Sequence, residues 1–421
     1  MPRRVAAAAI QLLAHDRASL GRAWPNIAQQ IRMAASGGAK LVVLPEGTLP
    51  AYVLGPERFE ASEIAEAIEA CAQLARELQI VLVAGAARAE GDRVFNSALV
   101  FDTNGSLAGS ADKHFLWHFD RQWFARGERL QPIHTSLGVL GVLICADGRI
   151  PTIARALVDK GAEVLVMPTA WVTSGRDAAH LENIQADLLA RVRARENGVP
   201  FIAANKCGVE LRSVAYCGKS QIIQADGSIT AIASETNPEI IADEIELGSR
   251  QPLRSRATLP EPNSSGNGAA QPLRIAITAH EGHARDEDLM RILEADVLIA
   301  PEIARSDSQT FADDVVFDPG GLAAHRLAGM DVATWRTAQD DGWQVLFARA
   351  RAVELRIYVI VLDIKGRRAY AVDPDGAIVC GTYDGYEIAH FTYDPARTRQ
   401  TYVAPGTDVR EGLERAHADA R

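Results

Sequence analysis

Val139-Leu140-Gly141-Val142-Leu143-Ile144-Cys145-Ala146-Asp147-Gly148-Arg149-Ile150-Pro151 is the stretch that decides the fold. An apolar run of strand composition leads straight into a cysteine, and a helical pattern begins at Thr152, just past Pro151. Cys145 therefore stands where a buried strand turns into a helix. Backbone N–H groups at such a turn are unpaired and point one way. A thiol held against them is close to donors able to bind an oxyanion, and the helix N-terminus favours its thiolate. Read alone, the same residue is equally a small buried hydrophobe, the common fate of a free cysteine.

On either side of this stretch, strands and helices alternate. Val5 to Leu13 reads as a strand, and Ala18 to Ser36 has helical spacing stopped by Gly37-Gly38. Leu41 to Leu44 is a short, wholly apolar strand ending in Pro45-Glu46-Gly47. Ser62 to Gln79 repeats Ile64, Ile68, Cys71, Leu74 and Leu78 at helical intervals, which makes Cys71 a core residue. Ile80 to Ala84 and Ser97 to Asp102 read as strands, with a turn at Thr103-Asn104-Gly105-Ser106. Beyond Cys145 come a helix from Thr152 to Lys160, a strand from Glu163 to Met167, and a long helix from His180 to Asn197 stopped by Gly198. Phe201 to Asn205 is a further strand. Tyr216 to Gln224, Ile229 to Ser234 and Ile240 to Ile245 read as an antiparallel meander. Wholly apolar strands alternating with helices predict an α/β fold whose sheet is buried on both faces.

The bulk properties set limits on function. The 421 residues suggest two domains or one large domain with an appendage. Hydrophobic residues make up 48% and charged residues 23%, an ordinary globular balance. A formal net charge of -10 argues against nucleic acid or an anionic membrane as partner. Five cysteines without a CxxC pair point to a reducing, cytoplasmic setting, with neither a disulfide framework nor a metal (zinc) site. The run from Val5 to Ile10 breaks at Gln11 with no cleavage-site pattern, so it reads as a first strand rather than a signal peptide, and no apolar run is long enough to span a membrane.

From 251 to 272 the composition shifts to Pro, Ser, Gly and Asn, most densely at Glu261-Pro262-Asn263-Ser264-Ser265-Gly266-Asn267-Gly268, which reads as a linker. The chain then starts again. Arg274 to Ala279 echoes Val5 to Ile10, a shorter helix runs from Asp286 to Ala295, and Asp296 to Glu302 repeats the Lys40 to Glu46 pattern with Pro301-Glu302 at its end. A helix expected from Thr334 to Glu354 matches the one ending at Asn197, and the turn Asp375-Gly376 matches Asp226-Gly227. Between Glu302 and that helix only a short connector is expected, with no counterpart of Lys113 or Cys145; Cys380 stands at the wrong place.

Three chemically able residues fall at ends of apolar strands, where α/β sheets gather functional side chains. Glu46 follows Leu-Val-Val-Leu-Pro, Lys113 lies in Ala111-Asp112-Lys113-His114-Phe115-Leu116, and Cys145 ends its own strand. A thiol nucleophile, a carboxylate base and an ammonium for the oxyanion make a workable acyl-transfer site. Singly, each has an ordinary alternative: a solvated glutamate, a surface lysine, a core cysteine.

Pro45-Glu46, Asp112-Lys113-His114 and Ile144 to Pro151 resemble the three signature segments of the nitrilase superfamily of carbon–nitrogen hydrolases, in the family's order. Lys160 to Leu165, Pro168-Thr169-Ala170-Trp171, Arg195 to Pro200 and Tyr216 to Ser220 also resemble the family, so the likeness covers most of residues 4–250. It implies an αββα four-layer sandwich, with the second, smaller and incomplete copy after the linker. The domain layout that follows is a catalytic domain at 1–250, a linker at 251–272 and a degenerate, non-catalytic repeat at 273–421. The resemblance implies Glu46, Lys113 and Cys145 as catalytic triad and no metal or organic cofactor. Ala146 would supply an oxyanion N–H. Asp120 falls where the family often carries a second glutamate, though it is shorter and Arg126 stands where a proline is usual. Trp171, with Trp117 and Trp123, would wall a pocket or fill the core, and Arg149 would bind a substrate carboxylate or brace the cysteine loop. The implied activity is hydrolysis of a small amide-type substrate through a thioester. A nitrile or carbamoyl substrate, acyl transfer to an amine, and a non-catalytic scaffold stay open beside it. An intramolecular pseudo-dimer of the two copies is expected, with a larger homo-oligomer also open.

Overall fold

The computed structural model describes residues 3–175, 179–248, 251–253, 271–279, 294–300, 310–311, 316, 318–338, 342–383 and 387–419. The chain divides into two compact units, Met1–Leu253 and Arg254–Asp419. The expected linker centre, the helix from Asp286 to Ala295 (but for its last two residues) and Pro301-Glu302 lie outside the described residues.

In the first unit, β1 (Arg3–Leu13) pairs in parallel with β2 (Leu41–Val43) and antiparallel with the returning β14 (Glu239–Leu247). With β3 (Val81–Glu90), β4 (Arg93–Phe101), β5 (Leu107–Asp112), β10 (Lys206–Glu210) and β11 (Val214–Cys217) these make an eight-stranded sheet. A six-stranded sheet holds β6 (Ile133–His134), β7 (Val139–Val142), β8 (Val164–Pro168), β9 (Phe201–Ala204), β12 (Gln221–Ile223) and β13 (Ile229–Ile232). Helices α1 (Leu20–Ser36) and α2 (Ala65–Leu78) cover the outer face of the first sheet. Their Ile27, Ile31, Cys71 and Leu74 pack on Val42, Leu82 and Leu99, which confirms Cys71 as core. The alternate residues Ala7, Ala9, Val43 and Val83 are also fully buried, because β2 and β3 face β8 and β9 of the second sheet. Helices α3 (Pro151–Asp159) and α4 (Ala190–Asn197) close the far side. The result is the expected αββα sandwich.

Several expectations need correction. The β3–β4 hairpin is longer than its apolar core, because Arg88, Glu90 and Arg93 extend it as a polar ribbon; Arg88 pairs with Asp112 at 2.8 Å. The helix expected from His180 begins at Ile184, opening with a π-helical turn over Gln185–Leu189. The Asn183 side chain accepts the Gln185 N–H at 2.9 Å and so holds residue 183 outside the helix. The meander is not one sheet. The chain switches sheets at Asn205, between β9 and β10, and again over Gly218-Lys219-Ser220, between β11 and β12; β14 then pairs with β1 instead of β13.

The second unit holds a three-stranded sheet, with β15 (Leu273–Ile277) parallel to β16 (Val297–Ile299) and antiparallel to β22 (Ala389–Tyr393). Its five-stranded sheet runs β17 (Thr310–Phe311), β18 (Val332–Thr337), β19 (Tyr358–Asp363), β20 (Arg368–Val372) and β21 (Ile378–Gly381). The stretch from Thr334 is thus not one helix. Val332-Ala-Thr-Trp-Arg-Thr forms a strand with Trp335 buried in it, and helix α6 spans Trp343–Leu355. Nor is the preceding segment a bare connector, since β17, helix α5 (Pro319–Leu327) and β18 lie in it. The pairing pattern follows the first unit closely. β15 meets β16 and β22 as β1 meets β2 and β14, and β20–β21 carries its register shift at Ala371/Val372, as β12–β13 does at Ile222/Ile223.

Candidate active site

Strand ends of both sheets deliver the expected residues to one buried place. Glu46 follows β2, fully buried, and its N–H donates to the Thr169 carbonyl at 3.3 Å, reaching across to the end of β8. That crossing needs space: a Cβ on Gly85 of β3 would lie 2.3 Å from the Pro45 carbonyl oxygen and 2.6 Å from the Glu46 Cα. Lys113 leaves the end of β5, its N–H donating to the Asn96 carbonyl at 2.8 Å. Its Nζ stands 2.7 Å from Glu46 Oε1 and 2.6 Å from Asp120 Oδ2, all three side chains being fully buried. Asp120 belongs to the 3-10 turn His118–Gln122 and also accepts the Trp117 N–H at 2.8 Å, so the shorter acid reaches the ammonium because the turn carries it in.

Cys145 opens a 3-10 turn, Cys145–Arg149, with a φ of 45° that non-glycine residues seldom adopt. The turn is held from both sides. Asp147 Oδ1 accepts the His114 and Phe115 N–H groups at 3.0 and 2.7 Å, and Oδ2 accepts the Ile144 N–H at 3.0 Å. One carboxylate therefore fastens the lysine loop to the cysteine loop. From α4, the buried Arg193 Nε donates to the Gly148 carbonyl at 3.0 Å while its Nη1 pairs with Glu196. A side chain at Gly148 would meet Gln185 Oε1 at 2.9 Å and Met167 Sδ at 3.1 Å.

The electrostatics follow from two buried carboxylates around one buried ammonium. Burial raises Glu46; Lys113 opposes this, Asp120 adds to it, and the Lys113 and Asn96 hydrogen bonds oppose it. Burial works against the Lys113 charge, but Asp120 and Glu46 outweigh it and hold the ammonium well above the lysine range. Burial and the Glu46 charge push the Cys145 thiol up, against Lys113, the Thr169 hydroxyl and the Ala170 N–H, which favour the thiolate. A thiol so placed needs a base to take its proton at the moment of attack.

Of the other expected residues, Ala146 is fully buried within the turn. Arg149 is half-buried with its guanidinium 4.7 Å from the Trp117 ring centroid, a bracing contact. Trp171 is 1% exposed, its backbone N–H donating to Asn205 Oδ1 at 2.8 Å. Tyr52, not singled out in the sequence, lies over the site: its ring is 5.7 Å from Lys113 Nζ and 5.5 Å from the Phe119 ring, and Phe119 leads on to Trp123 at 5.2 Å. Asn96, Asp147 and Arg193 were also missed. An amide inside an otherwise apolar strand was the available signal for Asn96.

The carbon–nitrogen hydrolase family model matches residues 4–255, and the chain belongs to that family, the nitrilase superfamily. A nitrilase of Pyrococcus abyssi is 33% identical over 224 residues, covering 52% of this chain and 80% of that protein. An omega-amidase of Danio rerio is 30% identical over 225 residues, covering 51% of this chain and 79% of that protein. The crystal structure of a carbon–nitrogen hydrolase from Helicobacter pylori G27 superposes with a TM-score of 0.53 at 29% identity, covering 57% of this chain and 89% of that one. The chain is thus an enzyme of the carbon–nitrogen hydrolase class, and among its described residues no helix is long and apolar enough to cross a membrane.

Proposed function

We propose that the first unit hydrolyses a small amide-type substrate through Cys145, Glu46 and Lys113. The observation that carries this reading is the buried Lys113 ammonium bridging Glu46 and Asp120 beside the strained Cys145 turn. Glu46 takes the Sγ proton as the thiolate attacks the carbonyl carbon. Lys113 and the Ala146 N–H stabilise the oxyanion. On collapse, Glu46 returns the proton to the leaving amine and a thioester remains on Cys145. Water then attacks, losing a proton to Glu46, and the acid departs as the thiol is restored. Asp120 keeps Lys113 charged and aimed, and Arg149 braces the loop. Ammonia release across a panel of amides, carbamoyl compounds and nitriles tests the reading; no turnover of any amide would sink it. The likeness to a nitrilase favours a nitrile as second reading, distinguished by a thioimidate adduct on Cys145 and by acid formed from nitrile.

The second unit is read as a reduced, non-catalytic copy. The shared strand registers support this, as does a shared clamp: Arg351 Nε donates to the Val316 carbonyl and Nη1 pairs with Glu354, as Arg193 does with Gly148 and Glu196. One acyl adduct per chain in intact-mass analysis is expected; two would refute it. For the pairing of the units, the fragment ending at Leu253 is expected to be less stable than the full chain by thermal midpoint.

A further inference from the structure

We propose that Asn96 is a positioning residue that fixes which oxygen of Glu46 handles the proton. Its Nδ2 donates to Glu46 Oε1 at 2.7 Å, the same oxygen that receives Lys113 Nζ at 2.7 Å. Glu46 Oε2 is buried and has no hydrogen-bond partner. The carboxylate is thus divided: one oxygen is saturated by two donors, and the other keeps its lone pairs for a proton. Asn96 also accepts the Lys113 N–H with its own carbonyl at 2.8 Å. One residue of β4 therefore sets base and cation against each other, through its side chain on one and its backbone on the other. The residue is 2% exposed, and its neighbours in the strand are Phe95 and Ser97, both buried. An amide in such a place has to be hydrogen-bonded to be tolerated, and here the acceptor is the base itself.

A neutral donor is the right group for this task. A lysine or arginine would add a second cation and hold Glu46 ionised too firmly to return its proton to the leaving amine. The amide stabilises the carboxylate without adding charge, and it cannot itself exchange protons near neutral pH. The charged and titratable groups facing Glu46 are Lys113, Asp120, Cys145, Tyr52 and Tyr216. None of them changes in an Asn96 variant, so a shift in the base's titration is attributable to the lost donor.

The inference rests on Glu46 being the base, and the test separates the two. The probe is iodoacetamide: its rate of alkylation at Cys145 is followed against pH by peptide mass in the full-length chain, so no substrate need be known. In the wild type the rate should rise as Glu46 loses its proton. In Asn96→Leu, which keeps volume and removes the donor, the rise should move to higher pH by about one unit, with a roughly tenfold lower rate on the acid side. In Asn96→Asp, which keeps shape and sets a second carboxyl against Glu46, it should move further. Asn96→Ser, the smallest change, should resemble the leucine variant. A rise within about 0.3 pH unit of wild type in folded variants overturns the inference. So does failure of all three variants to fold, since Asn96 would then serve the fold alone. Glu46→Gln should abolish the pH-dependent rise. If it does while the Asn96 variants leave the rise unmoved, only the present inference falls; if Glu46→Gln alkylates like wild type, the base assignment falls with it.

Discussion

The two units share a strand arrangement. Both have a central strand paired in parallel with a short neighbour and antiparallel with a returning strand, both place a register shift in the same hairpin, and both fix a loop carbonyl with an Arg–Glu pair buried on a helix. The first unit adds the β3–β4–β5 ribbon and the loop that follows it, which carry Asn96, Lys113 and Asp120. What this teaches is that the Arg–Glu clamp goes with the shared strand arrangement, whereas Asn96, Lys113 and Asp120 of the proposed site come from a ribbon and a turn that the first unit adds.

The comparison breaks most sharply at the nucleophile. Cys145→Ala should abolish turnover and the acyl adduct while leaving the thermal midpoint near wild type, because a small apolar side chain replaces a small buried thiol. Lys113→Met should follow, lowering kcat by about 10²-fold or more, as loss of an oxyanion donor does elsewhere; a loss of only a few-fold would remove Lys113 from the triad. The clamps give a paired measurement. Arg193→Met and Arg351→Met should each destabilise by about 3–5 kcal/mol, since each breaks a buried ion pair. Only the Arg193 variant should also slow alkylation of Cys145, because only its clamp holds a nucleophile loop.

The smallest effect concerns stability and pH. Glu46 is raised above its unfolded value, chiefly by burial, so its contribution favours the fold below the ordinary glutamate range and is lost as pH rises through the raised folded value. Glu46→Gln removes the second negative charge around Lys113 and leaves the Lys113–Asp120 pair balanced. The variant should be inactive yet melt slightly higher than wild type at pH 7, and the gain should vanish at pH 4; a lower midpoint at pH 7 would contradict the charge count.

Glu46 and Cys145 each end an apolar strand and so could be singled out, whereas Lys113 follows the polar, half-exposed β5 and was picked out by the family's order of Glu, Lys and Cys. Asp120 was found by its place relative to Lys113, but nothing in the sequence tells that its turn brings the shorter acid within 2.6 Å of the ammonium. Asn96 showed only as an amide inside an apolar strand; its partner lies fifty residues away and two strands over in the same sheet, a pairing that leaves no periodicity. The same holds for Asn205, whose side chain braces Trp171 and Gly218 where the chain changes sheets. The helix expected from Thr334 erred for another reason. The likeness of Phe347 to Glu354 with the first unit's helix was extended too far back, over a run from Val332 to Thr337 that has the β-branched and aromatic content of a strand.

Two carboxylates closed around one ammonium have a consequence for how the enzyme meets its surroundings. In the proposed scheme the proton passes from the Cys145 thiol to Glu46 and on to the leaving amine, all between buried groups, without calling on bulk water until the acyl group is released. The acylation half of the cycle should then be indifferent to the identity and concentration of the buffer. Only deacylation, where a water molecule enters and is split, should feel the solvent outside.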